Sequence, residues 1–240
     1  MFENDYETEN NQDSVIRNEQ DDTLFVLRQI VENYCKSKTI LDLGSGDGHY
    51  HKYFEKINFV GLDINKDYKG KENDFYVDQN IEEFPYRNIP NKFLPFDFVT
   101  ALDVFEHLQR PDWVLSYLAV DHHILQKGGY VFISVPNINT IDDKLLGINQ
   151  SVYNPNLKKV TSGRWNSTHL RFFDIPSLIN LAETTGYKVS ALTGSNFFTS
   201  NLISQLGEKI NMDGLQYCNL LRNTDFVNYA PNICILLQKK

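Results

Sequence analysis

The chain has 240 residues, a formal net charge of −8, 41% hydrophobic and 22% charged residues, values that fit one ordinary soluble domain with a substantial core. An acidic chain without basic runs lacks the phosphate-neutralising surface that a nucleic-acid acceptor demands. Cys35, Cys218 and Cys234 are odd in number, far apart and free of any C-x-x-C, which argues against a disulfide framework or a zinc site. The first residues lack a signal peptide's basic and apolar regions and no apolar run reaches membrane-spanning length, so no membrane span and a cytoplasmic location are expected.

Residues 1–22 carry eight acids and one base, −7 of the total −8, and read as a flexible tail that forms a lid once substrate is bound. A single domain over 23–240 follows. A helix is predicted from about Thr23 to Cys35, then strands near 39–43, 58–63, 74–78, 96–102 and 129–135, separated by segments long enough for crossover helices. Such alternation implies a parallel sheet covered on both faces.

Pro111 suits a helix start, Val114, Leu118, His122 and Leu125 recur at helical spacing, and Gly128-Gly129 stops the helix. His122 and His123 are therefore expected inside that helix as surface or packing residues. Asp174 caps a helix through Thr185 that Gly186 ends, followed by strands at Lys188–Leu192 and Ile233–Leu237. Residues 137–168 and 194–231 exceed what the sheet needs and are read as lid insertions that recognise the substrate.

The chemistry concentrates in Thr39-Ile-Leu-Asp-Leu-Gly-Ser-Gly-Asp-Gly-His-Tyr50. An apolar run stops at Gly44, Gly46 and Gly48, where backbone approaches a ligand closely or visits φ > 0, and His49 to Lys56 is expected to start a helix facing the same point. The dinucleotide fingerprint G-x-G-x-x-G does not fit, because His49 stands where its last glycine would fall. Asp63, at the tip of the second strand, suits ribose hydroxyls.

Taken in order, Asp42 with Gly44, Gly46 and Gly48, then Asp63, Asp78-Gln79-Asn80, Phe96-Asp-Phe-Val-Thr-Ala-Leu-Asp-Val-Phe-Glu-His-Leu108 and Gly128-Gly-Tyr-Val-Phe-Ile-Ser-Val-Pro136 resemble the class I S-adenosylmethionine-dependent methyltransferases over residues 39–136. Glu106-His107-Leu108 and His169-Leu-Arg-Phe-Phe173 look like its subgroup of small-molecule and sugar methyltransferases, the type 11/23 methyltransferase domain. The resemblance implies a Rossmann-like, doubly wound sheet of seven strands, mostly parallel with the last antiparallel, and helices on both faces. It implies S-adenosylmethionine as cofactor and S-adenosylhomocysteine as product.

By the same resemblance, backbone at Gly44, Ser45, Gly46 and Gly48 packs on the methionine part, and Asp42 orders the turn and takes the ammonium. Asp63 binds the ribose, Ile64 packs on adenine, Asp78 or Gln79 takes the adenine amino group, and Leu102, Asp103 and Val104 line the methyl-donor side. The Asn/Asp/Ser-Pro-Pro-aromatic motif of nucleic-acid amino-methyltransferases is missing; Ala101-Leu-Asp-Val104 stands in its place.

A hydroxyl acceptor must lose a proton as it attacks, and His107 or His169 is the candidate base. His49 and His51 flank the expected cofactor helix without a carboxylate-rich constellation, so no metal site is predicted. Between Ser151 and Phe173, Lys158, Lys159, Arg164 and Arg171 meet no acid. With Tyr153 and Trp165 nearby, this stretch suits an anionic acceptor such as a nucleotide- or lipid-linked sugar. The expected activity is therefore methyl transfer to a hydroxyl of a sugar or anionic metabolite, with a place in surface-glycan synthesis implied by the resemblance alone. A nicotinamide-dependent oxidoreductase and a non-catalytic binding module are the alternatives.

Overall fold

The structure, a computed structural model, describes residues 22–65, 67–140, 168–196 and 225–240. The tail at 1–21 and most of both insertions, including Tyr153, Arg164 and Trp165, lie outside the described residues. Helix α1 spans Asp22–Tyr34, and strands β1 (Thr39–Leu43), β2 (Asn58–Asp63), β3 (Phe75–Asp78), β4 (Phe96–Leu102) and β5 (Leu125–Pro136) follow. Helix α2 (Pro111–Val120) precedes β5, and α3 (Ile175–Thr184), β6 (Tyr187–Ser195) and β7 (Asn232–Lys239) complete the described elements. The strands form one sheet in the order β3-β2-β1-β4-β5-β7-β6. All neighbours are parallel except β7, which runs antiparallel to both β5 and β6.

Strand parity divides the core in two. Leu41 and Leu43, Val60 and Leu62, Val99 and Ala101, and Val131 and Ile133 turn to the face covered by α2 and α3, through Val114, Leu115, Leu118, Leu178 and Ala182. Ile40, Phe59, Phe98 and Phe132 turn to the other face, where α1 applies Leu24, Leu27 and Val31 at helical spacing. Near-continuous apolar strands are what a sheet buried on both faces requires. At α3 the expected cap is present: Asp174 accepts from Ser177 N and the Ser177 hydroxyl returns the bond to Asp174 N, a reciprocal pairing that satisfies two helix-end donors.

Three expectations give way. The segment after the glycine turn is a 3-10 helix, His49–Tyr53, rather than an α-helix to Lys56. Tyr50, His51 and Tyr53 are all buried there, and the tighter three-residue repeat turns 50 and 53 onto the same side. Second, no α-helix joins β2 to β3 or β3 to β4 among the described residues. Aromatic side chains fill that space instead, with Tyr68 stacked on Tyr76 and Phe84 on Tyr117. Third, α2 stops at Val120, so His122 and His123 are exposed in the following turn and Leu125 opens β5. The buried Lys239 ammonium, donating to the carbonyls of Leu118 (2.6 Å), Asp121 (3.3 Å) and Leu125 (2.5 Å), takes up the carbonyls at that end.

Two of the three cysteines fall among the described residues, Cys35 half-buried and Cys234 buried; Cys218 lies outside them. Burial, then the charge of Asp97, pushes the Cys35 thiol up to about 11, which leaves it inert.

A charged network underlies the glycine turn. His51 Nε2 lies 2.8 Å from Asp42 Oδ2, and its Nδ1 lies 3.3 Å from Asp74 Oδ2, while the ring stacks on Phe59 at 3.8 Å between centroids. Burial opposes its charge, but the hydrogen bonds and charges of Asp42 and Asp74 outweigh it and raise the His51 pKa. Folding thus favours the imidazolium, so its stabilisation is complete below the unfolded value of about 6.5 and is lost as pH rises through the folded value. Asp74 is held below its ordinary value, burial being outweighed by His51 and by the amides of Phe59 and Lys71. Its contribution is lost at the acid end, as pH falls through its lowered value. We expect His51→Gln to cost about 3–5 kcal/mol near pH 6. The gap between wild type and variant in urea unfolding should narrow steadily towards pH 8.5; a gap independent of pH would show that His51 is neutral in the fold.

Candidate active site

Neighbours β1 and β4 carry their connections to opposite sides, and the crevice beyond their carboxyl ends is the topological switch point where ligands bind in such sheets. Gly44, Gly46 and Gly48 all have positive φ, at 68°, 56° and 71°, a region that side-chain-bearing residues adopt rarely. Each has a different neighbour. A Cβ on Gly44 would sit 2.4 Å from Val104 Cγ2 and one on Gly48 2.5 Å from the Tyr68 ring, whereas one on Gly46 would meet nothing within 4 Å. The turn is packed against side chains at both ends and meets none at its middle.

In front of it lies a cavity of about 370 Å³, lined by Gly44, Asp63, Ile64, Asp103, Val104 and His107 from the expected site. Asn80, Ile81, Glu82 and Leu108 complete the lining. Ile64 is 67% exposed, an apolar side chain left open at the rim. A second cavity, of about 420 Å³, lies at the amino edge of the sheet among Arg28, Glu32, Lys38 and Lys56. It is remote from the strand ends that carry the glycine turn.

Asp63 bridges the strand ends, with Oδ2 accepting from Gly46 N at 2.7 Å and Oδ1 from Asn65 N at 2.8 Å. Asp42, expected at the ammonium, is instead 1% exposed and faces away from the cavity. It shares the parity of Ile40, on the α1 side, where Thr100 Oγ1 donates to its Oδ1 at 2.7 Å and His51 holds Oδ2. It orders the turn from beneath. Ser45 Oγ is likewise buried, near Gly61.

Asp78 is exposed at the end of β3, in register with Asp63. The Gln79 amide donates to the carbonyls of Glu83 (2.5 Å) and Pro85 (3.3 Å), so of the two adenine candidates Asp78 has the more accessible side chain. Glu82 had no signal in the sequence. Its carboxylate accepts from Gln109 N and Arg110 N at 3.3 and 2.6 Å, tying the turn after β3 to the start of α2.

Beyond β4, Leu102 is half-buried. Asp103 has φ 52°, and its Oδ1 accepts from Ser134 Oγ at 3.2 Å and Asn232 Nδ2 at 3.1 Å. The chain then forms a short 3-10 turn at Phe105–His107. Leu170 N and Arg171 N both donate to the Glu106 carbonyl, at 2.7 and 2.9 Å, which docks the 168–171 segment onto that turn. The two histidines predicted as alternatives therefore meet, their rings edge to face with centroids 4.8 Å apart. Glu106 is buried beside them. Burial first, and the charge of Asp103 second, push its carboxyl up to about 8. The spacing Asp103-x-x-Glu106-His107 was visible as residue types, but not that its side chains join a segment so distant in sequence. Arg171 is exposed and its guanidinium donates to the Gln109 carbonyl.

The architecture defines a nucleotide-cofactor-binding α/β enzyme whose last strand is reversed, and residues 23–192 match the family model of a methyltransferase domain. The chain belongs to that family: it is an S-adenosylmethionine-dependent methyltransferase. It is 25% identical over 187 residues to the ubiquinone biosynthesis O-methyltransferase of Serratia proteamaculans (strain 568), covering 73% of each chain. A methyltransferase structure from Bacillus halodurans C-125 superimposes with TM-score 0.54 at 19% identity, over 90% of this chain and 98% of that one. An S-adenosylmethionine-dependent methyltransferase from Archaeoglobus fulgidus gives 0.54 at 20% identity, over 90% and 93%. The oxidoreductase and non-catalytic alternatives fall with this assignment. No helix among the described residues is long and apolar enough to cross a membrane.

The residues present suit a sulfonium cofactor: Gly44 of the turn, the apolar Ile64 and the carboxylates of Asp63 and Asp103 line one cavity, and Gly46 beside them has open space where a Cβ would stand. Two glycine variants separate packing from cradle. Gly44→Ala should destabilise the fold by about 1–3 kcal/mol through overlap with Val104. Gly46→Val, which meets no neighbouring side chain but is strained by the positive φ, should lose S-adenosylhomocysteine binding in calorimetry, with Gly46→Ala as the control for backbone strain. Normal binding by a folded Gly46→Val protein would show that the cofactor does not lie over this turn.

Proposed function

We propose that the enzyme methylates a hydroxyl of a small anionic or sugar acceptor in the cytoplasm, at the cluster of Glu106, His107 and His169. That convergence, with His107 on the cavity wall, is the observation that carries the reading. The cofactor supplies an electrophilic methyl on a sulfonium, so the protein's tasks are to align donor and acceptor, exclude water and receive a proton. Asp63 offers its remaining lone pairs to the ribose hydroxyls, Ile64 covers adenine, Asp78 accepts from the adenine amino group, and Asp103 and Val104 border the methyl. The His107 Nδ1–H donates to the Thr168 carbonyl at 3.2 Å, which leaves Nε2 as the proton acceptor on the side of Glu106. The O-methyltransferase name of the Serratia relative supports an oxygen acceptor, and the basic stretch before Phe173, ending in Arg171 beside the cluster, supports an anionic one. The insertions at 137–168 and 194–231 are assigned to acceptor recognition.

Asp63→Ala should weaken S-adenosylmethionine binding by about two to four decades, the loss of two charge-assisted hydrogen bonds. Asp63→Asn keeps an acceptor for Gly46 N and serves as the folding control; calorimetric affinity equal to wild type in Asp63→Ala would remove the ribose assignment. With labelled donor, His107→Gln or His169→Gln should lower turnover ~10²–10⁴-fold at nearly constant donor affinity. Near-normal turnover in both would exclude proton removal at this cluster. Arg171→Ala should raise the acceptor KM and reduce its salt dependence; a KM matching wild type at every salt concentration would limit Arg171 to holding the Gln109 carbonyl.

A further inference from the structure

The histidine cluster has a feature that proton transfer alone does not explain. One nitrogen from each of His107 and His169 and one oxygen of Glu106 lie within 4.8 Å of one another. Glu106 is 2% exposed and its Oε2 has no hydrogen-bond partner among the described residues. A buried carboxylate oxygen without a donor is rare in folded proteins and calls for a specific explanation, such as an ion. Among the described residues its one ion-pair contact is His107, with Nε2 at 3.9 Å from Oε1, and the guanidinium of Arg171 is engaged with Gln109.

The imidazole of His107 is already set for coordination. Its Nδ1–H is spent on the Thr168 carbonyl, the backing arrangement that fixes the tautomer of metal-bound histidines and presents the other nitrogen as ligand. Asp103 lines the same cavity and is steadied by Ser134 and Asn232, which places a second carboxylate on the open side.

We infer that Glu106, His107 and His169 form a site for a divalent transition-metal ion, open towards the cavity, that holds the acceptor oxygen. The role assigned to the ion rests on the proposed O-methyl transfer; the site itself does not, and with the ion bound His107 Nε2 serves as a ligand in place of proton acceptor. Two imidazoles and a carboxylate suit Mn²⁺, Co²⁺ or Zn²⁺ better than Mg²⁺, which favours oxygen ligands. With bonds of about 2.0–2.2 Å, ligand atoms around one ion stand about 3–3.5 Å apart. The observed spread therefore closes by roughly an ångström, a movement open to His107 and His169 because both are partly exposed. Coordination lowers the pKa of the acceptor hydroxyl, whose proton leaves to solvent. The new O–C bond forms as the C–S bond breaks, sulfur retains the electron pair, and the sulfonium becomes the neutral thioether of S-adenosylhomocysteine. This assignment departs from the absence of a metal site expected from His49 and His51, which pair separately with Asp47 and with Asp42 and Asp74.

Chelator-treated full-length protein, titrated with CoCl₂ without cofactor or acceptor, should bind one ion saturably with visible d–d absorption. His169→Ala and Glu106→Gln should each weaken that binding at least tenfold while retaining S-adenosylhomocysteine affinity, and His122→Ala/His123→Ala should leave it unchanged. Failure of saturable binding, or binding preserved in both His169→Ala and Glu106→Gln, overturns the site. Because the titration involves no methyl transfer, that failure leaves the proposed function standing, whereas near-normal turnover in the histidine variants would remove the proposed function and leave the titration intact.

Discussion

A carboxylate enclosed in the middle of a sheet must find donors for both oxygens, and Asp42 meets that requirement by joining three elements. Thr100 brings β4 to one oxygen and His51 brings the 3-10 turn to the other. Desolvating such a group costs several kcal/mol unless its partners are in place, so the arrangement constrains everything around it. The β1–β4 pair at the switch point, the path after Gly48 and the position of Asp74 through His51 all follow. The glycine turn is thus held from below by charge and packed at its ends by Val104 and Tyr68, with open space only at Gly46.

The same economy of support governs the opposite wall of the cavity. Asp63 closes the turn by accepting from Gly46 N, and its carbonyl accepts from Gln79 N at 3.0 Å. Gln79 then fastens the turn after β3, and Glu82 fastens that turn to the start of α2. A chain of short polar contacts does here what crossover helices do in the regular doubly wound arrangement. The strand ends are fixed although the β2–β3 and β3–β4 connections contain no α-helix among the described residues.

At the far end, the site depends on backbone rather than side-chain pairing. Two amides, at Leu170 and Arg171, converge on the Glu106 carbonyl, and this docking brings His169 to His107 and closes the cover over the Glu106 side chain. Burial, reinforced by the nearby charge of Asp103, is what distinguishes this carboxyl from the exposed acids of the chain. An acidic cavity wall of Asp63, Glu82 and Asp103 suits a donor that carries positive charge on sulfur.

By itself the sequence determined the strands, the glycine turn, Asp63 and the cap at Asp174, because each is a local matter. An apolar run of five to seven residues buried on both faces, a glycine at positive φ and an acid three residues before a serine amide are set by neighbours along the chain. The cofactor class was legible for the same reason, since its signature is a series of strand-end residues in order. Only the tertiary structure decided that Asp42 faces α1 rather than the cavity, that the segment after Gly48 is a 3-10 turn drawn inwards by His51, and that Gln79 is committed to carbonyls. It also decided that His107 and His169 belong to one cluster with Glu106. Those outcomes depend on strand parity read against both cores and on contacts between residues far apart in sequence, where the energy of satisfying buried polar groups overrides local preference.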